Sequence, residues 1–107
     1  AKPVRGSRVA IMGVSYKAGS GDMRESPAMK IMRLLHEQGA EVAYHDDFVP
    51  ELPDLGLRSE WPEQADCVVI VTAHPDLDVE RIVRESRLVV DFRGVTRGIE
   101  APNLVRL

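Results

Sequence analysis

The run Cys67-Val-Val-Ile-Val71 is apolar at every position rather than at alternate ones. A strand with one wet face alternates, whereas a strand apolar throughout needs cover on both faces, as inside a parallel sheet. Related short apolar runs occupy Arg8–Val14, Glu41–His45 and Leu88–Phe92, and the third of the four lies within Asp66–Thr72. Helical periodicity fills the gaps between them. Strands alternating with helices demand right-handed crossovers, and hence a parallel sheet with helices packed against it. The expected architecture is a small doubly wound α/β fold: a Rossmann-like parallel sheet with helices on both faces, residues 1–107 forming a single domain.

The first helix is the better signalled. Ala28, Ile31, Met32 and Leu35 fall at i, i+3, i+4, i+7 and make one apolar face, with Lys30, Arg33 and Glu37 opposite. Ser26 suits the N-cap, Pro27 the first helical position and Gly39 the C-terminal stop. A last helix is expected from near Asp78, with Val79, Ile82 and Val83 inward, and a short helix around Glu60–Gln64. The Pro- and Asp-rich stretch Asp46–Arg58 reads as a loop, and Asn103–Leu107 as a final edge strand.

In open α/β sheets ligands bind beyond the carboxyl ends of the strands. That rule selects residues. Tyr16 and Lys17 follow the first run, Asp46 and Asp47 the second, Thr72 and His74 the third, and Asp91 and Arg93 the fourth. The glycine-rich segment 13–27 joins strand to helix, where backbone N–H groups and positive charge can meet an anion. Lys17 and Arg93 therefore place two cations on the rim, and a phosphate or diphosphate ligand is the expectation. The ordinary alternatives are a solvated Lys17, an ion pair of Arg24 with Asp22 or Glu25, and a salt bridge from Arg93 to Asp91.

Several chemistries are excluded by pattern. Counted from Gly13, the dinucleotide fingerprint needs glycine at Ser15 and Ala18, and no Gly-Lys-Ser/Thr follows for a phosphate-binding loop. Asp46 sits where a Rossmann fold places its ribose-binding acid, but without those glycines. His36, His45 and His74 show no metal-ligand spacing. Cys67, the single cysteine, opens an apolar strand and reads as a buried small hydrophobe, so no catalytic residue is expected in this chain. A net charge of −3 argues against a general nucleic-acid binder, and no apolar run approaches the length of a membrane span.

The segment Gly13-Val-Ser-Tyr-Lys17, followed by Asp22-Met-Arg-Glu-Ser-Pro-Ala28, resembles the C-terminal domain of the UDP-glucose/GDP-mannose dehydrogenase family. Gly39-Ala-Glu-Val42 with Tyr44-His-Asp46 and Val49-Pro50, Ala65–Thr72 with His74, and Val89-Val-Asp91 with Arg93-Gly94 continue the likeness over nearly the whole chain. Asp47 stands where many relatives carry proline, and Phe92 where a small residue or threonine is common. The Tyr44-His-Asp46 wording is nearer the UDP-N-acetylhexosamine branch.

The resemblance implies a part of an enzyme that oxidises the C6 hydroxyl of a nucleotide sugar to a carboxylate with two NAD in succession. It implies substrate contacts at Tyr16, Lys17 and Arg93, and a cofactor contact from Arg24 toward an NAD held by another domain. The catalytic cysteine, the N-terminal NAD-binding domain and the central dimerisation region would lie outside this chain, which alone would be inactive. A homo-oligomeric, cytoplasmic parent serving polysaccharide biosynthesis, with no nucleic-acid or membrane partner, completes the expectation. Two rival readings remain: a non-catalytic regulatory or interaction module using the Ala28–Leu35 helix or the Asp46–Arg58 loop, and a self-standing dinucleotide binder.

Overall fold

A computed structural model describes residues 5–15, 26–75 and 77–106. Strands β1 (Arg8–Met12), β2 (Glu41–His45), β5 (Cys67–Ile70), β6 (Val89–Asp91) and β7 (Leu104–Arg106) form one sheet in the order β2-β1-β5-β6-β7. All its pairings are parallel. Helix α1 (Pro27–Glu37) links β1 to β2, and α2 (Val79–Glu85) links β5 to β6. The sheet, its polarity and the edge strand agree with expectation.

Alternation along the strands sorts the core into two layers. Val9, Ile11, Tyr44, Val69 and Val71 face α1 and pack with Ala28 and Met32. Ala10, Met12, Val68, Ile70 and Val89 face the other way and pack with Ile82 and Val83 of α2. The continuous apolar run of β5 thus feeds both layers from the sheet centre, which is why it does not alternate.

The ends of α1 are built differently from each other. Gly39 takes φ +90°, and its N–H and that of Ala40 donate to the carbonyls of His36 and Leu35 at 3.0 Å each. This glycine stop satisfies the last-turn carbonyls as anticipated. Pro27 opens the helix, but Ser26 makes no side-chain cap. Its Oγ donates instead to the carbonyl of Val14, tying the helix start to the segment after β1. Asp78 caps α2 by accepting from the N–H of Arg81 at 3.1 Å.

Two stretches differ from expectation. Residues 60–64 form no helix. Pro62 removes a donor and disfavours helical geometry at Trp61, and Gln64 adopts φ +57°. The segment instead braces α2: Arg81 lies 4.2 Å over the Trp61 ring, and Trp61 Nε1 donates to Glu85 at 3.3 Å. Within 46–58 a small antiparallel hairpin forms, β3 (Glu51–Leu52) with β4 (Leu57–Arg58), around a single 3-10 turn at Pro53–Leu55. Buried Leu52, with Leu55 and Leu57, anchors it on the α1 side of the core.

Candidate functional site

The order in which strands are added reverses between β1 and β5, with every strand still parallel: β2 lies to one side of β1, and β5 to β7 lie to the other. The carboxyl ends of β1, β2 and β5 meet at this switch point, where open α/β sheets take their ligands.

Asp46, immediately after β2, organises the junction. Its side chain is fully buried. Oδ2 accepts from the N–H groups of Val14 at 2.8 Å and Ser15 at 3.2 Å, while Oδ1 accepts from Phe48 at 2.9 Å. His74, beyond β5, brings Nε2 to 2.9 Å from the same Oδ2 and 3.2 Å from Ser15 Oγ. Burial pushes the Asp46 carboxyl up, but the His74 bond and the three backbone donors outweigh it and hold it below the ordinary value. With Asp46 ionised, the proton sits on Nε2 and is donated to Oδ2. The exposed ring of Phe48 lies over His74, with centroids 4.6 Å apart.

The stem that leaves β1 is held from every side. Gly13 N–H donates to His45 O at 2.9 Å, and Thr72 Oγ1 donates to Ser15 O at 2.7 Å. Gly13 has φ +83°, and a Cβ there would stand 2.0 Å from the Thr72 carbonyl oxygen. Only glycine allows the β1 and β5 ends to approach so closely. Residues 13–15 are therefore a fixed platform.

A second carboxylate shapes the neighbouring loop. Asp91, at the end of β6, is fully buried. Its Oδ1 accepts from the N–H groups of Arg93 and Gly94 at 2.9 Å each. Its Oδ2 accepts from Thr96 N–H at 2.9 Å and Thr96 Oγ1 at 2.6 Å. Burial raises the carboxyl, and these bonds overcome it, leaving it below its usual range. Arg93 is thus fixed by its backbone while its side chain is exposed, and its guanidinium makes no ion pair with Asp91. The salt-bridge alternative for Arg93 is not realised.

Of the sequence candidates, Arg93 lies on the rim, one strand beyond β5 from the Gly13–Ser15 platform. At the usual strand spacing, β1 and β6 are separated by about 10 Å. Tyr16, Lys17 and Arg24 lie outside the described residues. The contribution of Asp46 and His74 was visible only as their positions after apolar runs. Ser15 carried no signal of its own.

The platform does not fit the pyrophosphate of NAD. In a dinucleotide fold the N–H groups after the first strand face the phosphates, and the acid after the second strand meets the ribose. Here Val14 and Ser15 direct their N–H groups into Asp46, and Asp46 is buried beneath them. A self-standing dinucleotide binder is therefore disfavoured by geometry as well as by the broken fingerprint. Burial, and then the charge of Asp66, raises the pKa of Cys67, so its thiol stays protonated and is a poor nucleophile. Among the described residues no His, Cys, Asp or Glu cluster could hold a metal ion, and no helix is long and apolar enough to cross a membrane.

Residues 10–98 match the UDP binding domain of the UDP-glucose/GDP-mannose dehydrogenase family. A UDP-N-acetyl-D-mannosamine dehydrogenase of Pyrococcus horikoshii is 30% identical over 84% of this chain and 25% of its own length. A UDP-glucose 6-dehydrogenase of Rhizobium meliloti is 30% identical over 88% of this chain and 24% of its own. Among solved structures, a UDP-glucose dehydrogenase from Pyrobaculum islandicum is 29% identical, with a TM-score of 0.71 over 96% of this chain and 26% of the other. The chain thus spans about a quarter of the length of the relatives it matches.

Proposed function

Because the chain belongs to the UDP-glucose/GDP-mannose dehydrogenase family, we propose that it is the nucleotide-holding C-terminal part of an NAD-dependent UDP-sugar 6-dehydrogenase. The observation that carries the reading is the switch-point rim. Asp46 at the switch point and Asp91 at the end of β6 are turned inward and saturated by donors, while the Arg93 side chain is left exposed two residues beyond Asp91. A rim of this kind suits an anion, and a planar guanidinium suits a diphosphate.

In this reading Tyr16, Lys17 and Arg93 contact the UDP-sugar, and Arg24 reaches toward an NAD bound by another domain of the parent. The domain's part in the reaction is positioning. Nucleotide contacts remote from the reacting carbon hold the sugar for oxidation elsewhere. The oxidising cysteine and the dinucleotide cradle belong to parts of the parent outside these residues. The Tyr44-His-Asp46 wording makes a UDP-N-acetylhexosamine the favoured sugar, and the parent is taken to be a homo-oligomeric, cytoplasmic enzyme of polysaccharide biosynthesis.

Calorimetry with UDP, GDP and NAD tests the assignment. UDP should bind, and Lys17→Ala and Arg93→Ala should each weaken it about tenfold, as loss of a charge-assisted contact implies. Unchanged UDP affinity in both variants would sink the site. A response to no nucleotide at all would favour the interaction-module reading.

A further inference from the structure

Arg93 does not stand alone on its loop. Arg97, four residues on, is also exposed. The chain bends back at Gly94, where φ is +73°, and the Arg97 side chain returns over that glycine. Its Nε stands 3.6 Å, and one terminal nitrogen 4.0 Å, from the point a Cβ on Gly94 would occupy. The guanidinium of Arg97 therefore lies beside the residue that follows Arg93. The backbone of Arg97 is pinned as well. Ile99 N–H donates to the Thr96 carbonyl at 3.0 Å, and Gly98 takes φ +87°, as the third position of a type II turn demands. Arg106 braces this turn from β7, donating to the carbonyls of Thr96 at 3.3 Å and Ile99 at 3.0 Å. Buried Thr96 is bonded in turn to Asp91. One buried carboxylate thus sets the backbone that presents both arginines.

The ordinary reading of an exposed arginine is a solvated side chain or a surface ion pair. Here the acids of the loop are withheld. Asp91 is filled by N–H groups and a hydroxyl, and Glu100 lies 3.7 Å from Arg106. Among the described residues neither Arg93 nor Arg97 has an acid within ion-pair distance. Holding two like charges on one fixed loop is unfavourable, and an anion between them offsets that cost. We infer that Arg97 is a second nucleotide-binding residue, and that Arg93 and Arg97 together grip a diphosphate with one planar fork for each phosphate. A monophosphate fits less well, since it offers a single group to two forks. The pair therefore selects for the number of phosphates, and the inference rests on the nucleotide reading.

Calorimetry on the full-length parent with UDP, UMP and uridine tests it. In Arg97→Ala, UDP affinity should fall about tenfold, as for loss of a charge-assisted contact. UMP affinity should fall much less and uridine affinity not at all, so the preference for UDP over UMP shrinks. Arg97→Lys keeps the charge without the fork and should lie between the parent and Arg97→Ala. Arg84→Ala removes the same charge from the far end of α2 and should leave all three affinities unchanged. Parental UDP affinity in Arg97→Ala, with a loss in Arg93→Ala, would overturn the inference and leave the nucleotide reading standing. Unchanged UDP affinity in both variants would overturn the two together. Equal losses for UDP and uridine in Arg97→Ala, or an equal loss in Arg84→Ala, would also overturn the inference, because they report a general disturbance or net charge rather than a grip on phosphate.

Discussion

Asp46 shows how much one buried carboxylate can do when the bonds it accepts come from three separate parts of the chain. It joins the ends of β1, β2 and β5 through Val14, Ser15, Phe48 and His74. Asp46→Asn keeps the size but removes the charge, and an amide cannot satisfy so many donors with one oxygen. The variant should lose about 3 kcal/mol of stability in urea unfolding, the scale for breaking a buried charged pair. Both Asp46 and Asp91 have folded pKa values below their ordinary ones. The stability they contribute is therefore fully present above the unfolded carboxylate value, near about 4, and is lost as pH falls through the folded values. Acid titration followed by circular dichroism should show this loss. In Asp46→Asn the acid-dependent part should shrink. At this scale the sequence was partly legible. Asp46, His74, Asp91 and Arg93 could be assigned to the rim because each follows an apolar run. That Asp46 and His74 bond each other depends on which strands become neighbours, and no local pattern carries that information across 28 residues.

At the scale of elements, periodicity served where one face decides the structure and failed where a few residues act through distant contacts. Helix α1 and its glycine stop follow directly from spacing. Ser26 looked like a cap, yet its hydroxyl is used to hold Val14. The 60–64 segment has helix-like composition, but Pro62 and the pull of Trp61 toward α2 give it another conformation. The 51–58 hairpin was hidden because Pro and Asp masked three leucines that reach the core. Gly13→Ala should be severe, since the new Cβ would meet main-chain atoms of Thr72 and φ is +83°. A loss of about 3 kcal/mol or more, or failure to fold, is expected in thermal unfolding. Asp78→Ala should cost about 1 kcal/mol through the lost cap of α2, and Asp78→Asn much less.

On the scale of the whole molecule, the sheet order explains the site. The reversal at β1 creates the crevice, and the one-way progression from β5 to β7 sends every later connection behind the sheet. The parallel sheet was readable from the unbroken apolar run of β5. The chain carries a net charge of −3, yet its candidate rim is suited to an anion. The two facts are compatible because Asp46 and Asp91 are solvated by the protein's own N–H and hydroxyl groups and face away from water. Overall charge therefore says little about what the rim attracts, and ionic strength should separate the two roles of charge. Raising salt should weaken nucleotide association at exposed Arg93, while the buried carboxylates, out of reach of mobile ions, should keep the fold's acid transition nearly where it was.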